Sequence, residues 1–228
     1  LNRITKKYKN GFFVDLVDYY DEFANNGWYT NSEIQTQDWI IDNAKPDWIS
    51  FDCGAHIGYY SMLLSHMSPQ GKVIAFEVCR ESVIKMNNNI DYNIDTYQRN
   101  FNNIFIAETA LGDKRGMFKE TVWQTGITAG NYGETQGEFS FDTLDNFSKT
   151  INLNKLDFIK IDCDGWDFEV LTGGEEVIKK FKPSIVMEIN ALHWRDHKAE
   201  DYFKYVDYLG YNYLQIDDIN MLLTQRIT

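Results

Sequence analysis

From Asp47 onward, short apolar runs alternate with stretches whose apolar residues recur at helical spacing. Trp48 to Cys53 reads as a buried strand, and Tyr59 to Met67 as a helix. Lys72 to Glu77 and Asn103 to Glu108 predict the next two strands, with a helix from Arg80 to Ile90 between them. Leu156 to Asp162 and Pro183 to Ile189 predict two more, separated by a helix from about Gly174 to Phe181. A helix over Ala199 to Leu209 precedes two last runs, Tyr211 to Ile216 and Met221 to Thr224, which read as a closing hairpin. Apolar strands of this kind, alternating with helices, are buried on both faces of a mostly parallel sheet. The expected fold is therefore α/β: a Rossmann-like, mostly parallel seven-stranded sheet with helices on both faces and an antiparallel C-terminal hairpin.

Two regions depart from this rhythm. Between Gly116 and Leu144 two strand-like runs flank a glycine-rich loop, residues 124–133, which reads either as a functional loop or as the tip of a plain hairpin. Residues 1–45 are aromatic-rich (Phe12, Phe13, Tyr19, Tyr20, Phe23, Trp28, Tyr29), with a helix-like run from Ser32 to Asp42. They are expected to form a helical and aromatic extension or lid packed on a domain of residues 46–228.

Composition narrows the function classes. The 228 residues carry a formal charge of −12, which disfavours nucleic acid as a partner, because binding to phosphates needs a basic surface. No apolar run is long enough to span a bilayer, and the first seven residues lack the apolar stretch of a secretory signal. Cys53, Cys79 and Cys163 are an odd number without metal-ligand spacing, so they read as reduced, mostly buried residues and a cytoplasmic setting is expected.

Chemistry concentrates where the first strand meets the first helix, in Asp52-Cys-Gly-Ala-His-Ile-Gly58. Gly54 lets the chain turn tightly against a ligand, and Gly58 lets ligand and helix approach closely. Glu77 ends the second strand about 20 positions further on, where a carboxylate can accept hydrogen bonds from both hydroxyls of a ribose. The second and third glycines of a dinucleotide fingerprint are not matched, which argues against NAD and an oxidoreductase. An acidic residue ahead of the glycine suits a ligand with a positive amino-acid group, which favours S-adenosylmethionine.

These segments resemble the FkbM family. The resemblance runs through Asp52 to Ser61, Val73 to Glu77, Ala110 to Asp113, Thr143 to Asp145 and Phe158 to Gly165, then through Phe168 to Gly174 and Pro183 to Glu188, in order along the chain. It implies a class I S-adenosylmethionine-dependent methyltransferase acting on hydroxyls of sugars, glycans or small natural products. By the same resemblance, Asp52, Gly54, Ala55, His56 and Gly58 hold the methionine portion of the donor and Glu77 its ribose. Glu108, Thr109 and Ala110 form the adenine-side turn, and Asp162 and Asp164 the acidic pair near the methyl donor. Three residues depart from the family pattern: His56 stands for the usual Asn, Asp164 for Glu, and Trp166 for a small residue.

Methyl transfer to a hydroxyl calls for alignment and a proton acceptor. Asp164, Glu188 and His193 are the candidate catalytic residues, His193 because imidazole titrates near neutrality. Asp162 and Asp164, two apart on a strand end, are alternatively a Mg²⁺ pair completed by Asp167 or His193, but strand-end carboxylates more often bind donor or cap backbone, so no metal ligand is assigned. His197 is expected solvated at a helix start, and His66 at the surface or in packing. Trp123, Tyr132, Trp166 and Trp194 are candidates to line an acceptor cleft. A donor-binding protein without transfer activity is the alternative to an enzyme, and a homodimer is compatible with the chain.

Overall fold

The computed structural model describes residues 3–17, 27–123, 126–128, 135–189 and 197–226. Its centre is a seven-stranded sheet built from β3 (Ile49–Cys53), β4 (Lys72–Phe76), β5 (Ile104–Ala107), β10 (Phe158–Ile161), β11 (Ser184–Glu188), β12 (Tyr211–Gln215) and β13 (Asn220–Gln225), in the order β12-β13-β11-β10-β3-β4-β5. Neighbours from β11 to β5 are parallel, while β13 pairs antiparallel with both β11 and β12. The expected α/β sheet with its terminal hairpin is thus the observed one. Strand order reverses between β3 and β10, and at such a switch point the loops leaving the carboxyl ends diverge and open a crevice.

Strand alternation divides the core. Phe51, Cys53, Ile159, Ile161, Ile185 and Met187 pack on one face, against α5 (Leu144–Thr150), α6 (Asp167–Thr172), α7 (Glu175–Phe181) and α8 (Ala199–Tyr208). Phe158, Val73, Val186 and Leu222 pack on the other, against α2 (Ile34–Asn43) and α3 (Tyr59–Met67). Lys160, two residues from Phe158, falls on that second face and is buried there.

The N-terminal segment, expected to be a helical extension, also contains strand. β1 (Arg3–Lys7) and β2 (Phe13–Val17) form an antiparallel hairpin, followed by the single turn α1 (Trp28–Asn31) and by α2. The free edge of β2 is satisfied by α4 (Arg80–Tyr97): Val17 N–H donates to Asn89 Oδ1 at 2.8 Å, and Asp15 N–H to Asn93 Oδ1 at 3.0 Å. Those bonds help hold α4 beyond Ile90, the end expected from the sequence: tertiary partners override weak helix propensity.

The segment around the glycine-rich loop is a second, four-stranded sheet of β6 (Ala110–Leu111), β9 (Thr135–Asp142), β7 (Gly116–Trp123) and β8 (Gly126–Thr128), with β7 and β9 antiparallel over most of their length. Most of the loop, with Tyr132, lies outside the described residues, as do His193 and Trp194, and the side chain of Trp123 is not described either. Among the described residues no helix is long and apolar enough to cross a membrane. All three cysteines are free thiols.

Candidate active site

The turn after β3 is held in shape by backbone conformation. Gly54, His56 and Gly58 all have positive φ, at 81°, 50° and 83°. A Cβ on Gly54 would lie 1.8 Å from the carbonyl oxygen of Asp162, and one on Gly58 would lie 2.5 Å from Met86 Cγ. Glycine is therefore required at both positions for conformation and for space. His56 belongs to the few residue types enriched at positive φ, as does Asp164, whose φ is 48°. Two of the three departures from the family pattern thus sit where the backbone itself favours Asn, Asp or His.

Nearly every amide of this turn is already engaged. Gly54 and Ala55 donate to the Phe76 carbonyl at 3.0 and 2.9 Å, Gly58 donates to Ala55 at 2.8 Å, and His56 donates to Glu77 Oε2 at 2.8 Å. Those four amides are taken, and the carboxylates beside the turn suit a ligand that presents hydrogen-bond donors.

The carboxylates are in place. Glu77, just past β4, is 6 % exposed, and its second oxygen accepts the Cys79 N–H at 2.7 Å. Burial raises its pKa to about 7 against the pull of the backbone amides. A carboxylate offers roughly four lone-pair directions, so acceptor capacity remains for donors such as hydroxyls. Asp52, in the last part of β3, is buried and accepts from Ser61 Oγ at 2.6 Å; burial lifts its pKa to about 6, opposed by Lys160 and by that hydroxyl. The turn of Glu108, Thr109 and Ala110 joins β5 to β6, with Glu108 exposed and 3.6 Å from Arg80.

At the end of β10 the structure departs from the expected pair. Asp162 is bound by Lys160 Nζ, while Asp164 lies in a left-handed turn beyond the strand. Two-residue alternation does not carry across that turn, so the shared strand face predicted for the two carboxylates does not exist. Asp167 turns inward: its two oxygens accept the amides of Cys163 and Gly165 at 2.9 and 3.0 Å and clamp the turn. No cluster of three or more metal-ligating side chains occurs among the described residues. Asp164 is half-buried, whereas Glu188, ending β11 opposite Asn220, is 5 % exposed. His197 precedes α8 as expected but is not simply solvated: Phe168 packs on its ring at 4.2 Å, and its Nε2 is 3.3 Å from Glu169. His66 stacks on Phe12 at 3.8 Å.

Two participants escaped the sequence reading. Lys160 carries its charge on an otherwise apolar strand, with Nζ 4.5 Å from the centre of the Tyr60 ring. Burial disfavours that charge, but Asp162, Glu33 and Asp52 outweigh it and raise its pKa. A polar residue in the run Phe-Ile-Lys-Ile was the available signal. Glu33 reaches in from the N-terminal segment, accepting from Tyr59 at 2.6 Å and from Asn220 at 2.9 Å. Nothing in its local sequence marks it.

Comparison with known proteins places this geometry. The family model described as a methyltransferase FkbM domain matches residues 52–213. Among solved structures, the FkbM methyltransferase of Methylobacillus flagellatus KT is similar, with a TM-score of 0.53 and 16% identity over 90% of this chain. The chain spans 55% of that protein's length. Magnesium protoporphyrin IX methyltransferase from Synechocystis PCC 6803, solved with bound S-adenosylmethionine, has a TM-score of 0.53 and 13% identity over 90% of this chain and 84% of its own. Precorrin-6y C5,15-methyltransferase from Geobacter metallireducens GS-15 follows at 0.51 and 12%, over 85% of this chain and 87% of its own. At such identities the likeness concerns the fold. No curated protein matches the sequence.

Proposed function

This chain belongs to the FkbM family of class I methyltransferases, and from that premise we propose that it transfers a methyl group from S-adenosylmethionine to a hydroxyl of a sugar, glycan or small natural product. The observation that carries the donor assignment is the turn from Gly54 to Gly58, its amides engaged and buried carboxylates on either side. Bound there, S-adenosylmethionine supplies an electrophilic methyl group on a cationic sulfur.

In this reading Asp52 and Asp162, with Gly54, Ala55, His56 and Gly58, receive the amino-acid portion, and Glu77 takes the ribose hydroxyls. Glu108, Thr109 and Ala110 border the adenine. Asp164 accepts the proton of the acceptor hydroxyl, since of the two described candidates it is the more accessible, Glu188 being buried. His193 lies outside the described residues and stays the alternative base.

Calorimetric titration with S-adenosylhomocysteine and with NAD tests the donor assignment, and methyl transfer from labelled donor to a panel of sugars and glycolipid precursors tests the acceptor. Micromolar binding of S-adenosylhomocysteine without NAD binding is expected. Binding of NAD alone overturns the reading. Donor binding with no transfer to any hydroxyl acceptor favours a binding protein instead.

A further inference from the structure

Tyr59, the first residue of α3, is held at three points by the N-terminal segment. Its phenol donates to Glu33 Oε2 at 2.6 Å, its carbonyl accepts from the Tyr8 phenol at 3.1 Å, and the Lys6 ammonium lies 5.7 Å from the centre of its ring. Directly before it stands Gly58, at φ 83°, where the glycine turn enters the helix without a side-chain cap. A glycine hinge restricts little by itself, so the direction in which the turn meets the helix must be fixed by its neighbours.

Glu33 is placed for that task and for little else. It is in left-handed backbone, at φ 53°, a conformation that strains a residue with a long side chain. It precedes α2 at the N-cap position, yet its carboxylate makes no capping bond to that helix. Both oxygens turn away from it, Oε2 to Tyr59 and Oε1 to Asn220 Nδ2 at 2.9 Å. The side chain is buried, and its charge favours the charged forms of the buried Lys6 and Lys160.

Neighbouring bonds show what anchoring alone would need. Thr36 Oγ1 donates to Asp217 Oδ2 at 2.6 Å, and Asn220 Nδ2 also meets Asp217 Oδ1 at 3.0 Å. These contacts tie the N-terminal segment to the turn between β12 and β13. Glu33, Thr36, Asp217 and Asn220 all lie outside residues 52–213, the span matched by the family model, and Tyr59 lies inside it. The Glu33–Tyr59 bond therefore carries the network from the flanking segments to the residue that follows the glycine turn.

We propose that Glu33 is a positioning residue for the donor site: acting through Tyr59, it fixes the entry of the glycine turn into α3, so that the N-terminal segment sets donor affinity. The assignment rests on the donor reading above. It makes the segment a working part of the site, because a turn already held in its bound geometry loses less freedom on binding.

The test is calorimetric titration of the full chain with S-adenosylhomocysteine, with melting temperatures and circular dichroism recorded for each variant. Glu33→Ala and Tyr59→Phe should each weaken binding about tenfold, the scale of one charge-assisted hydrogen bond. The double variant should bind no more weakly than either single one, since both remove the same bond. Thr36→Val breaks the nearby anchor and leaves the Glu33–Tyr59 bond in place. It should lower the melting temperature and leave affinity within twofold of the parent. If one single variant is misfolded, the other decides. Folded variants that bind like the parent overturn the positioning role, as do losses that add in the double variant. An equal loss of affinity in Thr36→Val overturns it too, by showing general loosening of the segment. A parent that fails to bind S-adenosylhomocysteine counts against the donor reading, a separate failure.

Discussion

Lys160 stands directly opposite Asp52 across the parallel β3–β10 ladder, both on the face of the sheet covered by α3. The register sets a buried ammonium beside a buried carboxylate at the strand ends from which the glycine turn and the acidic turn leave. Asp162, bound to the same ammonium, ties the second turn to the first. Removing the cation would leave the buried Asp52 without the ammonium that offsets the cost of its charge. Lys160→Met should therefore lower stability by about 3 kcal/mol in urea unfolding. Combining it with Asp52→Asn should cost less than the sum of the two single changes. Strict additivity would dissolve the pairing.

Glu77 offers a cleaner handle on donor binding. Glu77→Ala removes the proposed acceptor for two ribose hydroxyls and also frees the His56 and Cys79 amides. Charged hydrogen bonds of this kind are worth about 1.5–3 kcal/mol, so S-adenosylhomocysteine should bind roughly ten- to a hundredfold more weakly by calorimetry. Unchanged affinity would remove Glu77 from the site.

The pH dependence follows from the raised carboxyls. Burial lifts Glu77 to about 7 and Asp52 to about 6, above their ordinary values of 4.5 and 3.8. Between those limits the folded chain holds protons that the unfolded chain has released, so these groups' contribution to stability falls as pH rises through roughly 4 to 7. Glu77→Gln should flatten the stability profile across the upper part of that window, as read from thermal melts. Donor affinity should move the other way, because the ionised carboxylate is the better acceptor. Tighter S-adenosylhomocysteine binding at pH 8 than at pH 6 is expected for the parent and not for Glu77→Gln.

Two glycines with nearly the same φ separate strain from space. Gly11, at 84°, would have no atom within 4 Å of an added Cβ, whereas Gly54, at 81°, would press its Cβ on the Asp162 backbone. Gly11→Ala should cost about 1 kcal/mol from backbone strain alone. Gly54→Ala should cost on the order of 4 kcal/mol and weaken donor binding, because the two turns must part. Equal melting temperatures for the two variants would contradict this close approach of the turns.

Much of this architecture is legible in the chain. The apolar runs Ile49 to Cys53, Phe158 to Ile161 and Ser184 to Glu188 dictate buried parallel strands, because strands covered on both faces carry little polar alternation. Asp52, Gly54, Gly58 and Glu77 are readable for a related reason: turn geometry and close approach restrict the residue types at fixed spacing. What the tertiary structure alone decided is everything that depends on register or on distant partners. The pairing of Lys160 with Asp52 is set by the β3–β10 ladder, and the reach of Glu33 to Tyr59 and Asn220 is set by packing of the N-terminal segment. The extension of α4 depends on bonds to β2, and the separation of Asp162 from Asp164 on a left-handed turn that strand alternation does not foresee. Local pattern encodes which faces are buried; which charges meet across them is a property of the assembled sheet.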